Sequence, residues 1–477
     1  MRGLKLWLFT FALMLACLAA QGASYWVATN GNDSADGSFA TPWLTIAKGH
    51  TTAGAGDTVY VLPGTYAERV DITTGGTAGN YKTLKGTNGT EIGPGGNVGF
   101  NLRAPYLHIE GFTLRCGTNV TGGNGHVHIR NSASYLRFLN NYITDAPDIG
   151  NQMIYVKEGA PMSLGSATNI LIAFNTFSNW QYTCMVMNGT SNMVSSNLFI
   201  NAGPATNGHQ NDAIVFFGRD HVFRGNTFGG VDEVDPAHTD IFQTYGNVSG
   251  GVFTSNVLFE ANIVTNSTTQ IMQFSRDLIY PTNYVGHIII RSNIYSDVGF
   301  GSTVYMSDLT VEWNTFYKVG RSQSAGGSHP FSINYEVTGA RQAGAASNQV
   351  WRNNLYVDLG SDTSLPQFGH YVLATEITNS WTGNYNLVIG TGGGTTKTNF
   401  AIYGREANSI NGSDPVFVNA AANDFRLAAG SPAIGAASDG GDIGAIAYSS
   451  GGYTPTIVTN NASGARVMGF RGLGMRP

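Results

Sequence analysis

Charge is scarce in this chain. Lys and Arg number 25 and Asp and Glu 30 in 477 residues, so charged side chains make up 12% of the sequence. That excludes a charged disordered polymer, and a net charge of −5 argues against a nucleic-acid partner. Lysine is rarer still over most of the length, since Lys157 and Lys318 are the only two between residues 86 and 396. Helical hydrophobic periodicity is missing beyond the N-terminus. No segment after the first twenty residues approaches the ~20 apolar residues that a membrane-spanning helix requires. Cysteine occurs three times. Cys116 and Cys184 fall in separate repeat units and read as small buried apolar residues rather than as a disulfide.

What the chain has instead is glycine, 63 residues of it, and a recurrent phrase. An Asn, one residue, then an aromatic or aliphatic residue appears nine times: at Asn141, Asn175, Asn197, Asn226, Asn262, Asn293, Asn314, Asn354 and Asn386. The intervals run from 21 to 40 residues. A short unit repeated with variable inserts is the mark of a solenoid, in which each coil buries its apolar edge only against its neighbours. Each copy pairs two short apolar runs across a small polar turn, such as Ala213 to Phe217 and then His221 to Phe228, which points to strands. The spacing predicts an all-β parallel β-helix with one long core and hence one domain. Asn is expected to take the left-handed turn itself and to stack coil upon coil about 4.8 Å apart as an internal amide ladder.

The N-terminus reads as an export signal. Arg2 and Lys5 precede the apolar run Leu6 to Ala20, and Ala20-Gln21-Gly22 supplies small residues for cleavage. The expected organisation is a signal peptide over 1–23, a β-helix domain over 24–448, and a Gly/Ser/Asn-rich tail over 449–477. A secreted, cell-surface or periplasmic monomer is expected, with anchoring of a lipoprotein through Cys17 as the alternative.

Two stretches carry a family resemblance. Tyr25 to Ala47, with Gly56 to Tyr66 after it, resembles the N-terminal cap and first coil of secreted right-handed β-helix proteins of the pectate-lyase-like superfamily. Phe425 to Ile434 with Gly441 to Gly444 is similar to their closing segment. The resemblance implies a right-handed parallel β-helix and contact with carbohydrate, most often an extended acidic polysaccharide. The superfamily includes polysaccharide lyases, glycoside hydrolases, uronate epimerases and non-catalytic adhesins.

The chemistry is sought among polar residues that the repeat does not need. The densest group runs from His209 through Asp212, Arg219, Asp232, Asp235, His238, Asp240 and Gln243 to Tyr245. Aligning coils puts Asp212 and Asp240 at equivalent positions, roughly 5 Å apart. Strand alternation turns Ile241, Gln243 and Tyr245 outward, with Gln273 and Arg276 on the next coil and His128 on an earlier one. Asp212, Asp232, Asp235 and Asp240 form a candidate calcium site, because hard cations prefer carboxylate oxygen. Arg219, Gln243, Gln273, Arg276 and His128 are candidate substrate contacts. For β-elimination, His238 is the candidate base and Tyr245 the proton donor, with Asp240 and His209 beside them. Lys157 is a further candidate, expected about 14 Å from Tyr245. A glycosidase would instead use Asp212 and Asp240 as its two carboxylates, ~5 to 9.5 Å apart. An adhesin would use aromatics alone and leave the His and Asp group unexplained.

Overall fold

The computed structural model describes residues 22–93, 99–117, 126–146, 152–156, 167–203, 211–232, 239–245, 253–275, 284–319, 331–332, 348–358, 381–389, 407–448, 458–459 and 466–467. They form a right-handed parallel β-helix with three walls. The first wall stacks Arg69–Ile72, Gly99–Leu102, Val127–Ile129, Ile154–Val156, Met185–Met187, Ile214–Phe216 and Asp240–Tyr245 in register. The second starts at Ser24–Val27 and Thr58–Val61 and ends at Gln349–Arg352 and Trp381–Asn384, in a sheet of 14 strands. The third runs from Gly64–Tyr66 through Tyr142–Ala146 and Thr176–Trp180 to Leu387–Ile389. All three walls turn one row of side chains into a common core that extends almost the whole length.

The asparagine ladder is present at all nine positions. The backbone N–H and the Nδ2 of each Asn donate to Oδ1 of the next, as from Asn262 to Asn293 at 2.9 and 3.0 Å. Phe112 N–H starts the series on Asn141, and Asn386 N–H ends it on the Ser409 hydroxyl. Each Nδ2 that reaches back across the corner meets a backbone carbonyl, as from Asn262 to Phe223 at 2.8 Å. Buried polar groups in a sharp turn need such partners, and the ladder supplies them within the solenoid itself.

The left-handed residue, however, is the one before each Asn. Asn140, Phe174, Ser196, Ala261, Ser292, Trp313, Asn353 and Tyr385 all have φ between 52° and 59°. Gly225 takes the same place at 65°. The turn bends at that residue, and Asn is thereby freed to point inward and stack. Two residues past Asn, the inward aromatics stack at the rung spacing: Phe177, Phe199 and Phe228 have centroids 4.7 and 4.6 Å apart.

The N-terminal end of the core is covered, and the C-terminal segment packs on the side of the solenoid. The helix Ile46–Thr52 is capped by Thr45, whose side chain accepts from Lys48 N–H, while Glu68 accepts from Ile46 and Ala47 N–H. Trp43 beside it is buried, with Nε1 donating to Ala35 O. The C-terminal segment folds back along the outside of the third wall, where Phe425, Ala445 and Ile446 pack on Ile294. Its backbone is tied down by Gly444 N–H to Asn353 O and Ala445 N–H to Thr315 Oγ1. In the tail, Val458–Thr459 pairs antiparallel with Arg466–Val467. The signal segment 1–21 and Cys17 lie outside the described residues. Cys116 and Cys184 are free and buried. Among the described residues no helix is long and apolar enough to cross a membrane.

Candidate functional site

In the nine ladder coils the turn between the second and third walls is fixed at two residues, the left-handed one and the ladder Asn, as from Arg224 to Thr227 or Arg291 to Ile294. Chain length therefore varies elsewhere. From the third wall to the first, four residues separate Trp180 from Met185 but eleven separate Arg115 from Val127, and from the first to the second, five separate Met187 from Met193 but fourteen separate Val156 from Leu171. Variable connections around a rigid scaffold are where binding and catalysis concentrate. The outer face of the first wall is thereby singled out.

Its central row follows from the register. Asp71, Asn101, His128 and Tyr155 lie side by side on successive coils, then Val186 and Val215, then Gln243 and Gln273. Val186, Val215 and Phe217 form a small apolar cluster apart from the main core, with Tyr155 and Tyr245 packed on it. Phe217 and Tyr245 meet edge to face at 5.1 Å, as do His128 and Tyr155 at 5.2 Å. The row thus offers a tyrosine-flanked apolar patch between two polar ends.

At one end Arg130 Nε donates to Asn101 Oδ1 at 3.1 Å, Asn101 Nδ2 donates to Asp71 Oδ1 at 2.8 Å, and Arg103 Nε lies 3.0 Å from the same oxygen. A third arginine, Arg69, donates to His126 O at 3.0 Å. Burial brings the Arg69 guanidinium down to about 10, helped by nearby Arg130 and opposed by Asp71. The His126 imidazole is pushed down to about 4 by burial and by Arg69. At the other end Gln243 Nε2 donates to Asp240 Oδ2 at 3.0 Å and to Gln273 Oε1 at 3.1 Å.

Burial raises both the Tyr155 and the Tyr245 phenols. Tyr182 adds to the shift at each, Asp212 at Tyr245, and Arg130 opposes it at Tyr155. Tyr155 thus lies within electrostatic reach of Tyr182, Tyr245 and Arg130, and Tyr155 and Tyr245 keep their protons at neutral pH.

The expected residues divide into three groups. Gln243, Gln273, Tyr245 and His128 stand on this face, although His128 is buried. Asp212 and Asp240 occupy adjacent coils as expected, with Asp240 N–H donating to Asp212 Oδ1 at 2.8 Å. Both carboxylates are buried rather than open to the groove, because the strand starts at an inward corner; for the same reason Ile241, expected outward, lies in the core. Asp232 is apart from them and accepts from Thr268 N–H and Oγ1. Arg219 belongs to the second wall, where Gly218–Arg219 pairs with Phe253–Glu260, and its guanidinium faces Asp220 at 3.7 Å. His209, His238, Asp235, Lys157 and Arg276 lie outside the described residues. Among the described residues, no three His, Cys, Asp or Glu side chains are grouped so as to hold a metal ion. Asp212, Asp232 and Asp240 do not by themselves fit calcium. The residues that sequence reasoning missed are Arg69, Asp71, Asn101 and Arg103, whose only signal was two charge-bearing strands one coil apart in a charge-poor chain.

No protein-family model and no curated protein sequence matches the chain. Solved structures do. A complex of XylC with xylose is 13% identical over 83% of this chain and 87% of its own, with a TM-score of 0.53. Pectate lyase Pel9A is 17% identical over 90% of this chain and 97% of its own, with a TM-score of 0.51. The fold is the right-handed parallel β-helix of the pectate-lyase-like proteins. At these identities the likeness is one of fold.

Proposed function

We propose that this is a secreted carbohydrate-active β-helix that cleaves an extended acidic polysaccharide by β-elimination along the outer face of the first wall. The observation that carries the reading is the in-register row from Asp71 to Gln273, with Arg130 at one end, Tyr155 and Tyr245 packed on its apolar middle, and Tyr182 within electrostatic reach of both. A row of this length suits a polymer, its apolar patch suits sugar-ring faces, and its arginine suits a carboxylate. The pectate lyase among the similar folds adds support for a uronate polymer, and the xylose complex for a sugar ligand.

In this reading Arg130, which Asn101 and Asp71 orient, pairs with the carboxylate of a uronate further along the polymer, since it stands four rungs, about 19 Å, from Tyr245. At the sugar that lies on Gln243 and Gln273, a base removes the proton on the carbon next to the carboxylate. The electron pair forms the ring double bond and expels the glycosidic oxygen, which takes a proton from Tyr245. A phenol raised above its ordinary value holds that proton until the leaving oxygen needs it. His238, which precedes Asp240 by two residues in the chain, stands as base. Asp240 holds Gln243 toward the row. Calcium has no step here. Arg219 passes its role to Arg130.

The test is incubation with a panel of uronic-acid polymers. Elimination creates an unsaturated product that absorbs in the ultraviolet. New reducing ends without that absorbance would assign hydrolysis, sugar inversion without cleavage would assign epimerisation, and binding alone would assign an adhesin.

A further inference from the structure

The corner between the first and second walls places one left-handed residue in each coil. Along most of the solenoid it is short and polar, as at Asn169, Ser191, Asp220 and Asn256. Such residues tolerate positive φ because their side chains bond the local backbone. Three coils carry a ring there instead: Tyr106 at 55° and Tyr135 at 58°, adjacent to one another, and His287 at 51° further along.

The two rings lie parallel, 4.8 Å apart at an interplanar angle of 5°. Tyr81, one coil earlier, meets Tyr106 edge-on at 5.8 Å and carries the Arg137 guanidinium 4.2 Å over its own ring. The stack ends at Tyr135, which is 43% exposed. In the next coil the rung belongs to Asn169, too short to cover the far face of the ring. Polar groups edge that face: Asn169 Nδ2 donates to Thr168 Oγ1 at 3.2 Å, and Thr168 N–H donates to Ser134 Oγ at 3.1 Å. A ligand fitting this surface has one apolar face about the size of a phenol ring and hydroxyls around its edge. A pyranose has that form.

We propose that the Tyr106–Tyr135 stack is a carbohydrate-binding platform, which takes one pyranose ring of a polysaccharide against the outer face of Tyr135. It rests on the reading of the protein as carbohydrate-active and adds a contact outside the first-wall row. Tyr135 follows Arg130 by five residues, so the platform lies where the chain leaves the first wall. At this corner the tyrosine pair stands where most coils carry a short polar residue.

The test is Tyr135→Asn, which installs the residue that the next coil carries at this rung. Thermal melting and affinity gel electrophoresis in a panel of uronate-containing and neutral polysaccharides are measured for both proteins. The variant should melt at the same temperature as the wild type or higher, and bind the polymer that retards the wild type about tenfold more weakly, with Tyr135→Trp restoring binding. Retardation of Tyr135→Asn equal to that of the wild type would overturn the platform and leave the carbohydrate reading standing. A wild-type protein retarded by no polymer would overturn both.

Discussion

Replacing Asn262 by Leu keeps the side-chain volume close and removes the amide from the middle of the ladder. Asn262 is 1% exposed. Its Oδ1 accepts from Asn226 N–H and Nδ2, both at 3.0 Å, and its Nδ2 donates to Phe223 O and Asn293 Oδ1. Leucine therefore strands two buried backbone groups, Asn226 N–H and Phe223 O. The Asn226 amide keeps a second acceptor in Val194 O. Each stranded group costs about 1–3 kcal/mol, and burial of the new methyls offsets about 1 kcal/mol, which leaves a loss of about 1–5 kcal/mol. Asn141→Leu at the start of the ladder removes the equivalent pair of bonds, to Phe112 N–H and Ile109 O, and should lose a similar amount. Urea unfolding followed by circular dichroism measures both. A loss below about 0.5 kcal/mol at Asn262 would show that the ladder does not carry the backbone's hydrogen bonds.

Other expectations follow from the same geometry. Tyr245→Phe and His238→Ala should each lower turnover about 10²- to 10⁴-fold with polymer binding kept, while Lys157→Ala does much less; loss of turnover in Lys157→Ala alone would move the chemistry toward the N-terminal coils. Arg130→Ala should weaken binding of uronate polymers and leave neutral ones unaffected, whereas Arg219→Ala, on the second wall, should change neither; equal loss on both polymer types would remove Arg130 from carboxylate recognition. His126 and His221 are both held near 4 by burial, so each binds a proton in the unfolded chain at a pH where the folded chain does not. Their contribution to stability is present above the ordinary histidine value near 6.5 and is lost as pH falls toward 4. The urea midpoint should drop across that window, and a flat profile would contradict it. Chelator should leave both melting and turnover unchanged, since Asp212 and Asp240 are committed inside the protein; a drop in either would return a metal to the site.

The architecture was legible because the solenoid forces one residue type to recur at one place in every coil. The nine Asn positions, their inward aromatics and the outward setting of Gln243 and Gln273 all follow from that recurrence. The bend itself is less visible in sequence, since the residue before Asn ranges from Ala261 to Trp313 and only the backbone reveals its shared conformation. Alternation also fails at strand ends. Asp240 and Ile241 lie where the coil turns inward, so a two-residue period carried back from Phe242 misplaces them. The Asp71, Asn101 and Arg130 relay was hidden for another reason: its members are about 30 residues apart in the chain and meet only once the coils are in register.

The central claim is that a uronate polymer lies along the outer face of the first wall. A crystal structure of the Tyr245→Phe protein soaked with a polyuronate oligosaccharide tests it most directly. The account predicts sugar density over Val186 and Val215, with a carboxylate at Arg130 and ring contacts to Tyr155 and Tyr182. Density on the second or third wall instead, with the first wall empty, would contradict it.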